Sequence, residues 1–238
     1  MIDLKNLVSL PTYTTTIPST GKQVSFRPFV VKEEKILLIA LESKNDEQIL
    51  SAIKSVFESC FKEHLNIDEM SYFDAEYLFI QLRMKSMGEV VEIMIRDPET
   101  KEKYDTEMKL EKVKVLNLDN IKDNFNIKLN DNLGVMMKYP SLKEFTLLTD
   151  ENTPKTELIF NFLAKSIEKI YTKDEVIETK EKSLVEVKSF LENLPKDMFA
   201  KIATFFNKMP TVVYEDEYTT PRGNTIPIFI KDFRNFFV

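Results

Sequence analysis

The sequence is poor in the residues that most enzyme chemistry requires. It holds four glycines, one cysteine, one histidine and no tryptophan in 238 residues. So few glycines leave little room for loops that cradle nucleotide phosphates, and neither a Walker nor a dinucleotide-binding glycine pattern occurs. A single cysteine rules out an intramolecular disulfide and a cysteine-rich zinc site. A single histidine without a G-x-S-x-G motif argues against a Ser-His-Asp hydrolase. Cys60 and His64 are four residues apart, a spacing that can place two metal ligands on one helix face. No third or fourth ligand accompanies them, so the reading is a core cysteine beside a partly exposed histidine. No enzymatic activity, metal or other cofactor is expected.

Excess positive charge is also lacking. Lys and Arg total 33 against 39 Asp and Glu, a net charge of −6, which speaks against a general nucleic-acid binder. No apolar run approaches the roughly 18 residues of a membrane span. The opening stretch, MIDLKNLVSL, has neither the basic start nor the apolar core of a signal peptide. These absences predict a soluble, cytosolic chain that binds neither nucleic acid nor membrane.

What is present is a large apolar complement, 43% of residues, enough for a sizeable core. The pattern predicts one α+β domain over residues 1–238, with possible sub-units at 1–140 and 141–238. Its centre is residues 72–88, where Tyr72, Phe73, Ala75, Tyr77, Leu78, Phe79, Ile80, Leu82, Met84 and Met87 spread round every side of a helical wheel. A helix apolar on nearly all sides belongs inside a fold. Asp74 suits its first turn, and Gly88 suits the left-handed position beyond its end.

Three β-hairpins are predicted round this helical core. The first pairs residues 13–17 with 23–29 across a Pro-Ser-Thr-Gly-Lys turn. The second pairs 89–96 with 102–110, and the third pairs 211–219 with 225–230. Their tips, Asp97-Pro98-Glu99-Thr100 and Thr220-Pro221-Arg222-Gly223, share a proline in the second place. Helices are expected at 32–41 and 46–62, the latter with a stripe of Ile49, Ile53, Val56, Phe57, Cys60 and Phe61. Residues 111–132 read as a polar connection holding one strand near 126–129, with a further short strand at 133–139. A helix at 141–148, a long helix from Pro154 to Tyr171, a charged loop at 173–182 and helices at 183–194 and 196–208 complete the pattern.

Several side chains are candidates for more than packing. Glu33 and Glu34 read as a solvated helix N-terminus, where the dipole favours acids. Arg27 reads as a structural ion-pair partner of one of them, or as an anion anchor. Tyr214, Asp216 and Tyr218 alternate onto one strand face, either as an acidic partner-binding edge or as an edge charged against aggregation. Phe233, Phe236 and Phe237 give the C-terminal stretch KDFRNFFV more apolar surface than an undocked end carries. They are expected to dock, into this chain's core or onto a partner.

Four stretches in this order resemble one family, the baseplate hub assembly proteins of T-even-like contractile-tailed phages. They are LPTYTTTIPSTGKQVSFRPFVVKEEKILLIALES at 10–43, YFDAEYLFIQLRMKSMGEVVEI at 72–93, VMMKYP at 135–140, and FLENLPKDMFAKIATFFNKMP at 190–210 running through to FRNFF. The most distinctive part is Phe26-Arg27-Pro28-Phe29 followed by Lys32-Glu33-Glu34-Lys35. The resemblance implies a non-enzymatic assembly factor for the central baseplate hub, acting in the host cytoplasm by protein–protein binding. The alternative is a permanent hub component of the virion. Its partners would be other hub or tail proteins, with a homo-oligomer also possible. Many relatives carry Cys-Pro-x-Cys at the second and third hairpin tips, which implies a four-cysteine zinc knuckle there. In this chain the prolines remain and the thiolates are absent, so zinc is not carried over. The implied side-by-side placement of the two hairpins is retained.

Overall fold

The computed structural model describes residues 9–119, 125–146 and 153–231. In chain order they form β1 (Tyr13–Thr16), β2 (Gln23–Phe26), α1 (Val31–Glu42), α2 (Asp46–Cys60), α3 (Tyr72–Met87), β3 (Val90–Arg96), β4 (Lys103–Lys109), β5 (Lys114–Leu116), β6 (Asn126–Lys128), β7 (Leu133–Met137), α4 (Leu142–Thr146), α5 (Lys155–Lys165), β8 (Ile167–Thr172), β9 (Val176–Glu178), α6 (Leu184–Glu192), α7 (Lys196–Asn207), β10 (Thr211–Thr219) and β11 (Thr225–Lys231). The architecture is α+β, and the strand pairs are antiparallel. The chain divides into two compact units. One takes the described residues up to Asn66, Phe73–Leu116 and those from Thr211 on; the other takes Ile67–Tyr72 and those from Asn117 to Pro210.

The first unit is arranged about α3. Phe73, Ala75, Leu78, Phe79, Ile80 and Leu82 are almost wholly buried, and so are the charged Asp74, Glu76 and Arg83. The helix stops at Gly88, whose φ of 112° suits a residue without a Cβ. Aromatic rings join the surrounding elements. Tyr13 of β1 meets Phe26 of β2 at 5.9 Å between centroids, Phe26 meets Phe61 at 5.4 Å, Phe61 meets Phe57 at 5.0 Å, and Phe57 meets Phe79 of α3 at 6.4 Å. Such offset and tilted pairs add to the area they bury. The helix also fixes the backbone beside it. Asp74 accepts a hydrogen bond from Ser19 N at 2.9 Å, and Ser86 Oγ accepts one from Phe29 N at 2.9 Å.

The third predicted hairpin gains a strand. Residues 111–132 were expected to hold one strand near 126–129, and β6 lies there. A further strand, β5, pairs with β10 through Val212 opposite Val115, giving the sheet order β11-β10-β5. Three residues are too few to show a period of two, and the partner lies 95 or more residues away by sequence, so no local pattern announces β5.

The second unit is a four-stranded sheet, β6-β7-β8-β9, packed with α5, α6 and α7. Val135, Met137, Leu163, Ile167, Val187, Leu191, Ile202 and Phe205 form its core with Leu129. The long helix expected from 154 to 171 ends instead at Lys165. Ser166 is fully buried, and its hydroxyl donates back to Phe162 O at 2.8 Å. The chain then turns into β8, where Ile167 and Ile170 face the core. Leu163, Ile167 and Ile170 fit a helical stripe, and β7 decides otherwise by offering a ladder to the β-favouring Ile-Glu-Lys-Ile-Tyr-Thr segment. Gly134 of β7 sits opposite Tyr171, and a Cβ there would overlap the tyrosine ring. Part of the expected loop at 173–182 is likewise structured, as β9 and a single 3-10 turn at Thr179–Glu181.

Leu78 and Phe79 are 0% and 1% exposed. Leu78→Ala is therefore expected to lower unfolding free energy by about 3–5 kcal/mol, measured by chemical denaturation. An unchanged midpoint would show that α3 is not the packed centre of its unit.

Candidate partner-binding surface

Two hairpins of the first unit, β3–β4 and β10–β11, lie side by side and are joined along their length. At the tips Arg222 pairs with Glu102 at 2.8 Å. Next, Tyr104 and Tyr218 bring their rings to 5.5 Å, and Tyr104 donates to Glu102 at 2.6 Å. Further along, Tyr214 is buried; its hydroxyl donates to Asp216 at 2.7 Å and accepts from Lys109 N at 3.4 Å. Lys112 pairs with Asp216 at 2.7 Å. The Lys112 ammonium and the Tyr214 hydroxyl hold the Asp216 carboxyl down to about 2, while burial and the Asp216 contact push the Tyr214 phenol up to about 12.

Each tip is closed by its own first residue. Asp97 Oδ1 accepts from Glu99 N at 2.8 Å and Thr100 N at 3.1 Å, an Asx-type turn. Thr220 Oγ1 accepts from Asn224 N at 3.1 Å, and Gly223 supplies a positive φ of 85°. Asp97 and Thr220 are both buried. Among the described residues no group of three or more His, Cys, Asp and Glu side chains is placed to hold a metal ion. Cys60 is buried, with its thiol pushed up to about 11 chiefly by burial, while His64 is exposed.

Arg27 and Glu33 form a second fixed point. Arg27 Nη2 meets Glu33 Oε1 at 2.8 Å, and Nη1 donates to Pro28 O at 2.9 Å. Glu33 Oε2 accepts from Val30 N at 2.9 Å, so the carboxylate caps α1 from within. Glu33 is 1% exposed. That corrects its reading as a solvated acid; only Glu34 is partly open to water. Burial pushes the Glu33 carboxyl up, but Arg27, Val30 N and Lys32 together outweigh it and hold it below the usual range.

The expected surface residues thus fall into two groups. Arg27, Tyr214, Asp216 and Tyr218 have partners within the chain. Phe233, Phe236 and Phe237 lie outside the described residues. Sequence reasoning missed the outward face of α1, where Val31, Leu38 and Ile39 are 77%, 45% and 54% exposed, with Lys32 and Lys35 close by. A signal for it existed: α1 has apolar residues on more sides than one buried face uses. The open face of β3–β4 carries Val90 and Met94 beside Glu92, Asp105 and Glu107. Directly opposed Glu92 and Glu107 repel one another.

One family model, described as T4 bacteriophage base plate protein, matches residues 10–238. No curated protein and no solved structure matches the chain.

The Asp216 contact sets a pH dependence. Its folded pKa lies below the unfolded value of about 4, so it contributes stability above that pH and loses it as pH falls through about 2. Asp216→Asn should flatten the loss of stability between about pH 4 and pH 2, followed by thermal denaturation across that range. An identical acid profile in the variant would show that the Lys112–Asp216–Tyr214 contact does not join the hairpins in solution.

Proposed function

The chain belongs to the T4 bacteriophage base plate protein family, and from that premise we propose that it is a non-enzymatic assembly factor of the central hub. It would hold hub subunits by protein–protein contact until they join. Family membership gives it a baseplate-related role and baseplate proteins as partners. The observation that carries the finer reading is the outward face of α1. A helix of a folded chain that leaves Val31, Leu38 and Ile39 open to water has an apolar surface suited to another protein. The β3–β4 face adds a second surface, apolar at Val90 and Met94 and acidic between them. The paired hairpins would keep that surface rigid, which lowers the ordering cost of binding. No helix among the described residues is long and apolar enough to cross a membrane.

Quantitative mass spectrometry of purified phage particles tests the reading. Absence of the chain from complete particles is expected of an assembly factor. Stoichiometric presence would make it a permanent component of the hub instead. The double variant Leu38→Asp, Ile39→Asp tests the surface. Its unfolding free energy should stay within about 0.5 kcal/mol of wild type, while tails fail to assemble in infected cells. Normal assembly by this variant would rule out α1 as the docking face.

A further inference from the structure

In the first unit β3 is an edge strand without a blunting device. It pairs with β4 alone, in a register that runs unbroken from Val90 opposite Lys109 to Arg96 opposite Lys103. Asp97 N donates to Glu102 O at 2.9 Å, and Leu110 N donates to Glu89 O at 2.8 Å. By the alternation of an antiparallel ladder, Val91, Ile93 and Ile95 turn their backbone groups toward β4. Val90, Glu92, Met94 and Arg96 turn theirs away, and no backbone group among the described residues meets them. Such an edge is a template for another strand. The edge strand β11 differs, because Pro227 replaces one of its N–H groups.

The strand is also short of cover. Five of its seven residues are apolar, yet none is buried. Met108 of the neighbouring β4 is 0% exposed, whereas Met94 of β3 is 61% exposed. Its charges are placed against their own kind. Directly opposed residues on the outward face are Glu92 with Glu107 and Arg96 with Lys103, which weakens a ladder. Neither Glu92 nor Arg96 has an ion-pair partner among the described residues. The two lie about 13 Å apart along the strand, at about 3.3 Å per residue, too far to pair with each other.

We propose that β3 pairs antiparallel with β3 of a second copy of this chain, about a two-fold axis at Met94. Outward backbone groups on both strands require even-numbered residues to face even-numbered ones. Centring the pair on Glu92 opposes two carboxylates. Centring it on Ile93 or Ile95 leaves both charges against uncharged side chains. Centring it on Met94 sets Glu92 of each copy opposite the partner's Arg96, and Ile93 opposite the partner's Ile95. Each Glu92–Glu107 pair then gains a cation, and each Arg96–Lys103 pair gains a carboxylate. The product is an isologous four-stranded sheet built by strand addition. It is independent of the assembly reading and leaves the outward face of α1 free. The contact is one strand wide, so the dimer is reversible.

Sedimentation velocity of the full-length protein over a concentration series tests this. Wild type is expected to pass from monomer to dimer as concentration rises. Glu92→Arg and Arg96→Glu each turn both attractive pairs repulsive, so each should weaken the dimer about tenfold or more. Each also removes a like-charge pair within the hairpin, so neither should melt below wild type at concentrations where all are monomeric. Mixed in equal amounts, the two variants should form a heterodimer as tight as the wild-type dimer, because each supplies the charges the other lacks. Wild type that stays monomeric throughout would overturn the proposal. A dimer equally tight in both variants would overturn it by moving the contact to another face. A mixture of the variants that fails to associate would overturn the Met94 register and the proposal with it.

Discussion

Burial of α3 leaves three of its charged side chains almost no water to fall back on. Asp74, Glu76 and Arg83 all lie inside the first unit, and a charge there costs heavily unless another group meets it. Much of the local arrangement follows from how the helix meets that demand. Asp74 reaches the turn of the first hairpin through Ser19 N, and Ser86 reaches the chain beyond β2 through Phe29 N. Between β2 and α1 come Pro28, whose carbonyl accepts from Arg27, and Val30, whose N–H is taken by Glu33. The entry of α1 is therefore tied at both sides of one short loop. The aromatic series from Tyr13 to Phe79 fills the space between the same elements.

The paired hairpins solve a different problem. A lone two-stranded hairpin has a poor core and two open edges. Here β3–β4 leans on β10–β11 through Tyr104 against Tyr218, Arg222 against Glu102, and the buried Tyr214 hydroxyl between Lys109 N and Asp216. Polar contacts at the flanks and rings in the middle hold the two together, and Asp97 and Thr220 close the tips by binding backbone N–H groups. The residues that looked like an acidic docking edge are the ones that make this joint. Exposed apolar side chains lie elsewhere, on α1 and on the far face of β3–β4.

Local signals in the sequence were strong wherever one element carried its own pattern. The stripe of Ile53, Val56, Phe57 and Cys60 marked α2, the all-round apolar wheel marked α3, and Gly88 marked its end. Turn chemistry at 97–100 and 220–223 marked the hairpins. The candidate surface was less legible. Alternation placed Tyr214, Asp216 and Tyr218 on one face, but nothing local said that Tyr104, Lys109 and Lys112 would meet that face from 104 or more residues away.

By itself the sequence determined the α+β class, the central helix, the three hairpins and the membership of a baseplate family, because each rests on short-range periodicity, turn residues or ordered motifs. Only the tertiary structure decided that 167–172 is a strand and not more helix, that β5 joins β10, that Glu33 is buried, and that Arg83 Nε and Nη1 are enclosed without a hydrogen-bond partner among the described residues. The physical reason is common to all four. Strand pairing and the burial of charge depend on what another part of the chain presents, and a ladder partner or a closing wall can lie far away in sequence while deciding the state of a residue whose own neighbours permit either outcome.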